Sequence, residues 1–125
     1  MKNLIIDAAT EKIIFTFITK KQSYTTTHLN CRENFDKFIN LLLIFLNENK
    51  INIDDVDRIF VNQGPGKFSS LRISISIAKA ISLTKNISLF GFNSKLISNG
   101  NYKKLLELNN KSLAINDLIK PLYSS

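Results

Sequence analysis

The sequence predicts an α/β fold: a single lobe built on a mixed five-stranded sheet flanked by helices. Three observations carry this prediction. Runs rich in β-branched and aromatic residues open the chain, and the links between them are short enough for hairpins. A long amphipathic segment of helical spacing follows. Two further strand-like runs then bracket a second helix-length segment, as in parallel strands joined by a crossover helix.

Residues 3–6 form an apolar run ending in Asp7-Ala8-Ala9-Thr10, a buried strand followed by a turn of small residues. Residues 12–19 give a second strand and residues 24–29, with Thr25-Thr26-Thr27, a third. Residues 30–49 read as one helix with Asn30 placed to cap it. From Phe38 to Leu46 this helix is apolar almost all round, more than one sheet face can cover. Either another helix of the chain or a partner must hide the remainder, so Phe38, Leu42 and Phe45 are expected at a partner interface.

Asp54 to Asp57 reads as a turn or short helical cap, and residues 58–62 as the fourth strand. The loop Gln63-Gly64-Pro65-Gly66-Lys67-Phe68 follows. In residues 69–85, Leu71, Ile73, Ile75 and Ile77 alternate like a strand, but the length of the segment favours a helix. That helix would carry small residues at every fourth position, Ser70, Ser74, Ala78 and Ser82, a strip that either admits a close-packed helix or faces water. Residues 88–92 make the fifth strand. Beyond them the pattern weakens: 102–108 and 115–122 read as helical or partly helical, with breaks at Asn99-Gly100-Asn101 and Asn109-Asn110. No linker or repeat divides the 125 residues, so 1–125 is read as one domain. The order β-β-β-α-β-α-β is that of a ribonuclease-H-like, or actin-like, lobe.

Composition narrows the function classes. Hydrophobic residues are 44% and charged residues 22%, values of a soluble globular protein, and no apolar run approaches membrane-spanning length. The start of the chain lacks signal-peptide organisation, which predicts a cytoplasmic protein with no membrane partner. Cys31 and His28 are the only residues of their types, so neither a disulfide nor a metal site is expected. A Cys-His nucleophile at these two positions would lack any known surrounding signature. The net charge of +7 comes mostly from lysines standing singly or in pairs, so direct phosphate binding is not the first expectation.

Two motifs are specific. Ile5-Ile6-Asp7-Ala8-Ala9-Thr10 resembles the opening motif of TsaB (YeaZ) proteins. Gln63-Gly64-Pro65-Gly66-Lys67-Phe68-Ser69-Ser70-Leu71-Arg72-Ile73 resembles their central signature, with Gly64, Pro65, Gly66, Phe68, Arg72 and Ile73 in place. Departures are Ser70 and Ser74 where the family has glycine, and Asn34-Phe35 for its usual His-Ser. The resemblance implies a shortened, non-catalytic subunit that supports threonylcarbamoylation of the tRNA adenosine beside the anticodon. It implies docking on a TsaD-type transferase through the helices at 31–49 and 69–85, in a complex with a TsaE-type ATPase, and contact with tRNA only through that complex. Residues 98–125 would be a remnant replacing the second lobe; the ending Pro121-Leu122-Tyr123 suggests an internal deletion.

The expected interface therefore comprises Phe38, Leu42, Phe45, Ser70, Arg72, Ser74 and Ala78, with Arg72 offered to a partner carboxylate. Asp7, Gly64 and Gly66 are the residues a phosphate, another anion or a nucleotide would meet; alternatively Asp7 caps a turn and the glycines shape the loop. The loop lacks a P-loop ending. ATP is not expected as a cofactor, since the actin-like fold holds it between two lobes. Without the partner, the same helices are expected to pair as a homodimer. Two other functions stay open: a one-lobe nucleotide-binding enzyme and a small basic RNA-binding module.

Overall fold

The computed structural model describes residues 1–97, 101–108, 113–115 and 119–122. Strands β1 (Asn3–Asp7), β2 (Lys12–Ile18) and β3 (Ser23–Leu29) form an antiparallel meander. Helices α1 (Arg32–Asp36) and α2 (Phe38–Glu48) lead to β4 (Arg58–Asn62), which pairs parallel with β1. Helix α3 (Phe68–Lys85) crosses over to β5 (Ser88–Phe92), parallel to β4. A two-residue strand, β6 (Ala114–Ile115), closes the edge antiparallel to β5. The sheet runs β3-β2-β1-β4-β5-β6.

Among the described residues six strands thus replace the five expected, because β6 is too short to leave a pattern in sequence. The long helix of 30–49 is broken at Lys37. Asn30 caps nothing: Cys31 takes the cap position of α1, and Asn30 Nδ2 instead reaches Ala8 O (3.1 Å), Thr10 O (2.6 Å) and Ser70 Oγ (3.1 Å). It tethers the β1–β2 turn to α3. The segment at 102–108 is a 3-10 helix, Tyr102–Glu107; of the segment 115–122, Ile115 is in β6, 119–122 is irregular and 116–118 lie outside the described residues. Asn99, Gly100, Asn109, Asn110 and Tyr123 lie outside the described residues.

The period of two in the central strands sends side chains to two cores. Leu4, Ile6, Ile13, Phe15, Ile59, Val61 and Leu89 face the helices, where Phe38, Leu42, Phe45, Ile75 and Ala78 cover them. Ile5, Ile18, Phe60 and Phe92 face the other way, and Tyr102, Leu105 and Leu113 cover that side. β1 is buried along its whole length because both its faces are covered, which is why it reads as a continuous apolar run.

Candidate functional site

β1 and β4 run parallel and end side by side, so Asp7 and Asn62 meet at the carboxyl edge of the sheet. Asp7 Oδ1 accepts from Ala9 N (3.2 Å) and Asn62 Nδ2 (3.0 Å), while Oδ2 accepts from the Tyr102 hydroxyl (2.6 Å). Asn62 Oδ1 in turn accepts from Gly64 N (2.8 Å) and Ser94 Oγ (3.0 Å). Burial, then the Asp7 charge and the hydrogen bond to it, push the Tyr102 hydroxyl far above the ordinary tyrosine range. The network is closed on itself: a buried carboxylate is satisfied by a backbone amide, an amide side chain and a phenol.

The Gly-Pro-Gly loop serves the same closure. Gly64 has φ +104°, a conformation L side chains rarely adopt, and a Cβ there would collide with the Leu122 carbonyl. A Cβ on Gly66 would collide with the Ala9 carbonyl. Gln63 holds the chain end, donating from Nε2 to Lys120 O (3.0 Å) and accepting at its carbonyl from Leu122 N (2.7 Å). Asp7 thus accepts from three donors of this chain, and Gly64 and Gly66 lie against its own backbone carbonyls. Asn62, Ser94 and Tyr102 were not flagged by the sequence. Polar residues closing buried strands hint at the first, but nothing local marks Tyr102, 95 residues from its partner.

The residues expected at a partner interface part into two groups. Phe38, Leu42, Phe45, Ser70, Ser74 and Ala78 are all at most 2% exposed, so they belong to the chain's own core. Ser70, Ser74 and Ala78 of the small-residue strip are buried where α3 packs over β4, β5 and β1, while Ser82 is half-buried and donates to Ile87 O. Arg72 is exposed, its guanidinium 5.3 Å from the Phe68 ring centroid. The surplus apolar surface lies one helical step round α2: Ile39, Leu43 and Ile44 are 55%, 54% and 51% exposed. Together with Ile77 and Ile81 of α3, Ile39 and Leu43 border an apolar groove of about 250 Å³ between the two helices. The described part of residues 98–125 leaves it open, contributing none of its lining.

His28 packs its ring against Phe15 (6.3 Å between centroids), and Cys31 is a free, half-buried thiol. Among the described residues no three His, Cys, Asp or Glu side chains gather into a metal-binding group, and no helix is long and apolar enough to cross a membrane.

Sheet order, crossover and the polar closure at the strand ends define an actin-like lobe whose signature motifs shape the turn and loop at the sheet edge. A family model described as TsaD, tRNA N6-adenosine threonylcarbamoyltransferase, matches residues 26–98, more than half the chain. TsaB, the tRNA threonylcarbamoyladenosine biosynthesis protein of Buchnera aphidicola subsp. Schizaphis graminum, is 34% identical over 89 residues, 70% of this chain and 42% of the relative. The tRNA N6-adenosine threonylcarbamoyltransferase of Thermosipho melanesiensis is 42% identical over 57 residues, 43% of this chain and 18% of the relative. The solved YeaZ from Pseudomonas aeruginosa shares the fold at a TM-score of 0.68 and 18% identity, over 74% of this chain and 43% of that one. The chain belongs to the TsaD family, and within it is similar to TsaB (YeaZ) proteins. It spans less than half the length of these relatives.

Proposed function

We propose that this chain is a non-catalytic partner subunit in tRNA threonylcarbamoyladenosine biosynthesis, working in the cytoplasm and docking on a TsaD-type transferase subunit. The observation that carries the reading is the apolar groove between α2 and α3. Three aliphatic side chains more than half exposed on one 11-residue helix are surplus to the chain's own core. Contiguous apolar surface of this kind marks an interaction site. Arg72 stands on α3 with its guanidinium over Phe68, in a separate hollow that shares Ile77 with the groove, and offers a charge to a partner carboxylate there. The closed network at Asp7 supports the non-catalytic half of the reading, since a carboxylate holding three donors has little left for a metal or substrate.

In isolation the same groove, presented by two copies, gives a homodimer, because an isologous contact reuses one patch. The test is to mix the purified chain with the TsaD-type subunit of the same organism and follow co-elution by size exclusion. A stoichiometric complex, lost on Leu43→Glu, is expected. Separate elution of the two wild-type chains at micromolar concentration would refute the reading.

A further inference from the structure

Along the sequence the lysines are dispersed, but the fold gathers four of them. Lys2 at the start of β1, Lys20 and Lys21 in the β2–β3 hairpin, and Lys50 just after α2 line one open pocket of about 550 Å³. The pocket also contains Asp55 and Asp57, and both acids are engaged by Lys2. Its ammonium is 3.9 Å from Asp55 Oδ2, and its backbone N–H donates to Asp57 Oδ2 at 2.7 Å. Lys20, Lys21 and Lys50 are exposed and form no ion pair among the described residues. The Thr19 hydroxyl, accepting from Lys21 N (3.3 Å) and Gln22 N (3.1 Å), holds the hairpin that carries two of them. One wall is aromatic: Tyr24 is half-buried and stacks on Phe17 with 12° between the planes.

We propose that this pocket contacts the phosphate backbone of RNA. Three unpaired ammonium groups around one concavity suit a row of phosphates, and an aromatic wall suits a ribose or base beside them. Long, mobile lysine side chains without a glycine-lined cradle of backbone amides suit a polyanion better than one small anion. The hollow shape fits a ridge such as a nucleic-acid backbone, not the broad surface of a lipid bilayer. Ile51 and Asn52 line both this pocket and the hollow beside Leu43 and Ile44 on the outer side of α2. A strand lying on the lysines would therefore pass beside anything seated on the helices. The inference stands without the docking reading, because it concerns the isolated chain.

The test is fluorescence anisotropy of labelled tRNA titrated with the full chain. With about three phosphates engaged, affinity is expected to fall about 40-fold as salt rises from about 50 to about 200 mM. The triple variant Lys20→Glu/Lys21→Glu/Lys50→Glu should lose at least about tenfold in affinity and most of the salt slope, with its thermal melt unchanged. A control of equal charge change, Lys95→Glu/Lys103→Glu/Lys104→Glu, should stay within about threefold of wild type. Equal losses in both triples would reduce the effect to net charge and overturn the proposal. So would absence of tRNA binding at the lower salt, or binding to phosphatidylglycerol vesicles with the same dependence on the three pocket lysines.

Discussion

Tyr102 and Asp7 are both buried, and the 2.6 Å bond between them fixes the chain beyond β5 to the end of β1. Tyr102→Phe leaves the carboxylate one donor short in a low-dielectric site. We expect a loss of about 1.5–3 kcal/mol in urea unfolding, the range for hydrogen bonds to charged groups. The tyrosine also predicts a pH dependence. Its hydroxyl titrates near 10 when unfolded and well above that when folded. Above pH ~10 the unfolded chain therefore sheds a proton the native chain keeps. The stability Tyr102 contributes is complete below that pH and declines as pH rises, by up to about 1.4 kcal/mol per unit. Tyr102→Phe should flatten this alkaline decline, and an identical slope in both proteins would disprove the assignment. Ala78 and Gly66 are packing residues in the same strict sense. Ala78 has no exposed surface, and Ala78→Arg would bury an unpaired guanidinium, costing at least about 3 kcal/mol and unfolding much of the protein at 37 °C by circular dichroism. Ser76→Arg, at an exposed position of the same helix, should leave the melt unchanged to within about 0.5 kcal/mol.

At the scale of elements, periodicity in the sequence was informative about shape and ambiguous about environment. β1, β2, β4 and β5 were legible because their branched and aromatic runs are bounded by turns, and α3 was legible by length once no Gly or Pro interrupted it. What covers each helix face was not legible. The strip Ser70–Ser74–Ala78 fits a partner helix, water or a sheet equally well as a pattern, and only the fold shows it lying on the sheet. In α2 the residues expected at a partner interface, Phe38, Leu42 and Phe45, are in the core, and the exposed apolar side chains are Ile39, Leu43 and Ile44. The break at Lys37 had no Gly or Pro to announce it. The consequence for α2 is testable. Leu43→Glu changes a side chain that is 54% exposed, so it should leave the unfolding midpoint unchanged while weakening self-association at least about tenfold in sedimentation. A wild type that sediments as a monomer at micromolar concentration would argue against the pairing.

Over the whole molecule, one sheet separates two cores. α1 to α3 cover one face, and the segment carrying Tyr102, Leu105 and Leu113 covers the other. The closure at the strand ends couples them: Asp7 and Asn62 reach Tyr102 and Ser94, while Gln63 holds residues 120 and 122. The turn contact from Ala9 N to Asp7 was open to a local reading of the sequence, whereas Tyr102, 95 residues away, was not. At Gly64 and Gly66 the loop packs backbone against backbone, facing the carbonyls of Leu122 and Ala9. The helix side retains exposed apolar surface at Ile39, Leu43 and Ile44, the surface proposed to dock on a TsaD-type subunit. Isothermal titration calorimetry of that subunit into this chain should give a one-to-one complex with a negative heat-capacity change for wild type, and at least about a tenfold loss of affinity for Leu43→Glu. Undiminished binding by that variant would mean that the partner sits elsewhere and that the groove is not its seat.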